Sequence, residues 1–144
     1  MNTLHTLCRR LNKGALFVLA FSVLVAQNAT SVWDGVYTAD QAKRGAAIYS
    51  ASCVSCHGLG MLGGESAPAL AGGEFMANWN SLTVGDLFDR IRTTMPQDHP
   101  GSLTRQQNSD VVADILSVNQ FPAGKTELDT RSEFLKAIRI TAKK

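Results

Sequence analysis

Five consecutive residues, Cys53-Val54-Ser55-Cys56-His57, constrain this chain more than any other feature of its sequence. The other cysteine, Cys8, precedes an apolar run near the N-terminus, so Cys53 and Cys56 are the pair whose chemistry needs explaining. A Cys-x-x-Cys pair can be a thioredoxin-like redox disulfide, but that motif normally joins a strand to a helix. No strand pattern precedes Cys53. A structural zinc site needs four ligands, whereas this segment offers three and His99 has no cysteine beside it. The remaining reading is covalent haem attachment, for which Cys-x-x-Cys-His is the signature. Two thiols add to the two vinyl groups along one porphyrin edge, and the adjacent histidine then lies under the iron as an axial ligand. The expected cofactor is one haem c with its iron.

The N-terminal segment fits a protein that carries such a cofactor outside the cytoplasm. Residues 1–13 contain Arg9, Arg10 and Lys13 and no acid, and Ala15 to Ala26 is a run of twelve residues without a charge. This matches a secretory signal and falls short of the roughly 20 residues that span a bilayer comfortably. Residues 1–29 are therefore expected to be a signal peptide and the protein periplasmic. If retained, the same segment would be a membrane anchor. With 14 Lys and Arg against 12 Asp and Glu, and three of the cations in that segment, the rest of the chain has a net charge of −1. It has no basic block, which gives no electrostatic case for nucleic-acid binding.

With 144 residues the chain has room for one domain. Thr38-Ala-Asp-Gln41 reads as a capping box opening a helix that runs through Ala42, Gly45, Ile48 and Tyr49 into the haem motif. Gly45 costs such a helix about 1 kcal/mol and points to a close helix crossing. Thr83-Val-Gly-Asp86 opens a second helix with Val84, Leu87, Phe88 and Ile91 at helical spacing. Thr104-Arg-Gln-Gln107 caps a third, with Val111, Val112, Ile115 and Leu116 on one face, and Thr130-Arg-Ser-Glu133 starts a short fourth with Phe134, Leu135 and Ile138. No segment after residue 29 alternates convincingly with period two. The expected fold is all-α, about four helices with loops wrapped around the haem. The stretch from Gly58 to Ser81, with six glycines, reads as one long loop using the porphyrin as its core.

A second protein ligand on the iron must come from Met61, Met76, Met95 or His99. Four residues span at most about 14 Å, too little for Met61 to leave His57, round the ring and return to its other face. Met95 is best placed. It ends a helix and precedes Pro96, whose ring stiffens the turn. Met76 and His99 remain the alternatives.

These features resemble a class I, mitochondrial-type monohaem cytochrome c over residues 36–122. The matching pieces are Gly45-x-x-x-Tyr49, Cys53-Val-Ser-Cys56-His57, Pro68-x-Leu70, the Trp79 region, Met95-Pro96 and the helix ending at Leu116. The resemblance implies that Gly45 and Tyr49 cross the helix holding Val112 and Leu116. It also implies that the Pro68 carbonyl accepts the other ring N–H of His57, and that Pro68, Leu70 and Trp79 surround the haem, with Trp79 near a propionate. Iron would be held by His57 and Met95. The segments Thr94 to Leu103 and Phe121-Pro-Ala-Gly124 are similar to those of cytochromes associated with periplasmic quinoprotein dehydrogenases. The expectation is thus an electron carrier rather than an enzyme, reduced by a dehydrogenase and oxidised by a terminal oxidase. Two alternatives are a permanent subunit of such a complex and a gas-binding or enzymatic haem protein. Residues 123–144 fall outside the family pattern and are expected to be an extension, either a docking tail or an extra packing helix.

Overall fold

The computed structural model describes residues 30–142, so the expected signal segment lies outside the described residues. Its helices are α1 (Ala39–Ser52), α2 (Val54–His57), α3 (Gly72–Trp79), α4 (Val84–Thr94), α5 (Arg105–Val118) and α6 (Ser132–Leu135). Two short strands, β1 (Thr30–Ser31) and β2 (Ile138–Arg139), pair in parallel with Thr30 opposite Ile138. The fold is all-α, with two more helices than the four expected. One is α2, a single turn that carries the haem motif. The other is α3, which corrects the reading of residues 58–81 as loop throughout. Its opening glycines, Gly72 and Gly73, and its uncapped start at Ala71 hide it, although Phe75, Met76 and Trp79 have helical spacing.

Of the four helix starts expected from the sequence, two follow the capping chemistry in full. Thr83 with Asp86, and Thr104 with Gln107, form reciprocal capping boxes. Thr38 caps α1 through the Gln41 N–H at 3.1 Å, but the Gln41 side chain does not reach back. It is fully buried, donating to Ser109 Oγ and the Leu128 carbonyl and accepting the Leu128 N–H. A buried backbone N–H without a partner is costly, and that need outweighs the cap. The last helix starts at Ser132 rather than Thr130, because the Arg131 N–H and guanidinium are taken by Asp129. It stops at Leu135, and Ile138 belongs to β2.

The main crossing is α1 on α5, at Gly45. A Cβ there would fall on the Asp110 carbonyl and come within 2.9 Å of the Asp114 Cβ, so only glycine allows this approach. Beside it, Arg44 forms two 3.0 Å hydrogen bonds with Asp110. On the inner face, Val111, Val112, Ile115 and Leu116 join Leu87, Phe88 and Ile91 of α4 in one core. The C-terminal segment belongs to that core, since Leu128, Leu135 and Ile140 are buried in it and α6 packs on α4. The Trp33 indole N–H donates to the Thr141 carbonyl at 2.8 Å, tying the two ends of the described chain together. Leu128, Leu135 and Ile140 thus anchor the C-terminal segment on the domain.

Candidate haem site

The haem motif sits where α1 gives way to α2. Cys53 lies between them with φ −126° and ψ −30°, and α2 follows as one turn. Positions three and four apart on a helical turn share a face, which brings Cys56 and His57 onto the side of Cys53. Gly58, at φ 75°, ends the turn, and its carbonyl accepts the Tyr49 hydroxyl at 2.6 Å. Both thiols are free, with Cys56 exposed and Cys53 partly buried. Burial, helped by the charges of Asp114 and Cys56, pushes the Cys53 thiol up to about 11. Among the described residues no three His, Cys, Asp or Glu side chains converge as a metal site.

His57 is buried, and its Nδ1 lies 2.9 Å from the Pro68 carbonyl oxygen. A carbonyl only accepts, so Nδ1 carries a proton, and in the neutral ring that tautomer puts the lone pair on Nε2. Pro68 is held by the close turn at Gly63 (φ 72°), where a Cβ would lie 2.7 Å from the Pro68 carbonyl carbon. Asn119 fastens the far end of the same loop, donating to the Leu70 carbonyl and accepting the Gly72 N–H.

The two cysteines, His57 and the Ser66 to Leu70 segment line a cavity of about 1410 Å³, larger than the usual 300–1,000 Å³ of a small-ligand pocket. Cys53, Cys56, His57, Pro68, Leu70, Trp79 and Met95 all face into it. Leu87, Ile91, Val111 and Ile115 make an apolar wall, while Asn78, Trp79 and Arg90 bring hydrogen-bond donors. The donor set fits a haem: two thiols for its vinyl edge, an imidazole with a fixed tautomer, apolar faces, and donors for its carboxylates. Sequence reading did not single out Arg90 or Asn119. Neither lies in a motif, and only the fold brings them to the site. Of the described methionines Met95 alone lines the cavity; Met61 is core, and Met76 on α3 packs against the core outside the cavity wall. His99 also lines it, but its ring is 78% exposed and lies 3.2 Å from Asp98.

The family described as "Cytochrome C oxidase, cbb3-type, subunit III" matches residues 40–113, just over half of the chain. The chain belongs to this cytochrome c family. Its cofactor is a covalently bound haem c with iron, for which Cys53-Val-Ser-Cys56-His57 is the attachment sequence, and its work is haem-based electron transfer. Cytochrome c domains of this kind are typically exported, and no helix among the described residues is long and apolar enough to cross a membrane. Among solved structures, a chain in the crystal structure of the sulfane dehydrogenase SoxCD from Paracoccus pantotrophus matches with a TM-score of 0.51 and 22% identity. The match covers 74% of this chain and 61% of that one, so this cytochrome spans about three-fifths of that chain's length. At that identity the likeness shows the shared fold. No curated protein matches the sequence.

Proposed function

We propose that this cytochrome is a periplasmic one-electron carrier, not an enzyme, with haem held by Cys53 and Cys56 and iron ligated by His57 and Met95. It takes electrons from a dehydrogenase and passes them towards a terminal oxidase. The observation that carries this reading is that Met95, alone among the described methionines, shares one cavity with the Cys-x-x-Cys-His motif. The haem supplies a one-electron ferrous–ferric couple when bound, and methionine with histidine keeps its potential high. The chain's own residues do the rest. The Pro68 carbonyl fixes the His57 tautomer, as outer partners of metal-bound histidines do. The Met95 N–H caps α4 through the Ile91 carbonyl at 2.9 Å, which fixes its backbone at the cavity wall. Leu70, Leu87, Ile91, Val111 and Ile115 keep water from the interior of the site. With two protein ligands no position is left open for substrate.

The dehydrogenase link rests on the resemblance of Thr94–Leu103 and Phe121–Gly124 and is in keeping with the fold shared with SoxCD. Within residues 125–142, Leu128, Leu135 and Ile140 are spent in the core, while Phe134 is half exposed. A potentiometric titration of the holoprotein tests the carrier reading. It should show one reversible one-electron transition per chain, and the protein should not turn over peroxide. Peroxide turnover by the wild-type protein would overturn it.

A further inference from the structure

We propose that the hollow of Leu62, Glu65 and Glu74, together with the exposed Leu59 three residues before Leu62, is the surface on which the redox partner docks, and that the partner presents apolar side chains ringed by Lys or Arg. Leu59 is 92% and Leu62 72% exposed, the two most exposed large apolar side chains among the described residues. Neither lines the haem cavity.

Their exposure is imposed by an ordered loop. Between them Met61 is buried to 2% exposure at φ 57°, and its carbonyl accepts the N–H groups of Leu70 at 2.7 Å and Ala71 at 3.0 Å. The Met61 N–H donates to Gly58 and the Gly63 N–H to the His57 carbonyl. With Met61 pinned inward, the leucines on either side are held outward. Holding two leucines in water forgoes the gain from burying them, which fits a surface made to be covered.

The place suits electron exchange. Leu62, Glu65 and Glu74 line a shallow hollow of about 320 Å³ together with the segment Ser66 to Ala69. That segment also lines the haem cavity, and its Pro68 carbonyl bonds His57. A side chain seated in the hollow is thus separated from the haem site by a single layer of chain. The charge selects the partner. No Lys or Arg occurs between Arg44 and Arg90, and both glutamates are exposed. An acidic rim around an apolar centre steers a basic partner.

This inference rests on the electron-carrier reading, and the test separates the two. The probe is tris(phenanthroline)cobalt(III), which is cationic with apolar faces and takes one electron from the reduced protein to become cobalt(II). Ferricyanide, anionic and polar, is the comparison. At about 10 mM salt, where the Debye length is about 30 Å, Glu65→Gln with Glu74→Gln should slow oxidation by the cobalt complex about fivefold. At 1 M salt the difference should vanish. Leu59→Ser with Leu62→Ser should slow it about threefold at both salt concentrations, since apolar contact is not screened. Ferricyanide should not slow with either variant, and the midpoint potential and visible spectrum should not move. With the oxidised protein, which has no electron to give, the paramagnetic tris(phenanthroline)chromium(III) ion should broaden amide resonances around residues 59–74. Unchanged cobalt rates in both double variants, or broadening centred elsewhere, would overturn the docking surface and leave the carrier reading standing. A wild-type protein that exchanges electrons with neither reagent would overturn both.

Discussion

Replacing Gly45 by alanine sets two rules against each other. In a helix interior alanine is favoured over glycine by about 1 kcal/mol, so α1 by itself would gain. At the α1–α5 crossing, however, the new methyl falls on the Asp110 carbonyl and 2.9 Å from the Asp114 Cβ. Neither atom is the free end of a flexible side chain. Relief therefore requires the helices to separate along the seam that holds Val111, Val112 and Ile115. Overpacking of this kind costs about 1–3 kcal/mol, and loosened contacts along the seam add to it. After the helix gain is subtracted, Gly45→Ala should cost about 2 kcal/mol. For a domain of this size that lowers Tm by about 8 °C. Far-UV circular dichroism melts of the holoprotein measure this, with Gly73→Ala as the comparison. Nothing lies within 4 Å of a Cβ at Gly73, so that variant should be neutral or up to about 0.5 kcal/mol more stable. A Gly45→Ala protein melting at or above wild type would refute the close crossing.

Other consequences follow from burial and from the attachment chemistry. Burial pushes the Asp114 carboxyl up to about 6, against roughly 3.9 in an unfolded chain. The ionised group costs the folded state on the order of 1–2 kcal/mol, allowing for partial water access. Stability should therefore fall as pH rises from about 4 to 6. Asp114→Asn should match wild type below pH 4 and exceed it above pH 6, as denaturant titrations at several pH values would show; equal pH profiles would refute it. Leu135 is 1% exposed on α6, so Leu135→Ala should cost about 2–4 kcal/mol; an unchanged Tm would mean that the C-terminal segment is dispensable. Changing both Cys53 and Cys56 to alanine should abolish haem staining on a denaturing gel, and staining that persists would contradict covalent attachment at this pair.

What the sequence showed and what it hid divide along physical lines. Three of the four expected helices begin at the threonines that pointed to them, Thr38, Thr83 and Thr104, because capping is chemistry between residues a few positions apart. Gly45 stood out because glycine inside a helix needs a reason. The glycines that open α3 masked its helical spacing, so that a local signal for turns overrode a weaker one for helix. The role of Gln41 could not be read, because its partner Leu128 is far along the chain. The candidate site divides the same way. Cys53, Cys56 and His57 are one motif, whereas Arg90 and Asn119 reach the site only through tertiary packing.

The central claim is that the iron is closed on both sides, by His57 and by Met95. Carbon monoxide binding to the reduced holoprotein tests it most directly, with wild type and Met95→Ala measured side by side. Wild type should bind the gas slowly or not at all. Met95→Ala should bind it readily, while keeping both thioethers, losing the weak sulfur-to-iron charge-transfer band of the ferric form and falling in potential. Met61→Ala and Met76→Ala should behave as wild type, because neither side chain lines the cavity. Wild-type protein that binds carbon monoxide as fast as Met95→Ala would show an open iron, and the carrier reading would give way to a gas-binding or enzymatic one.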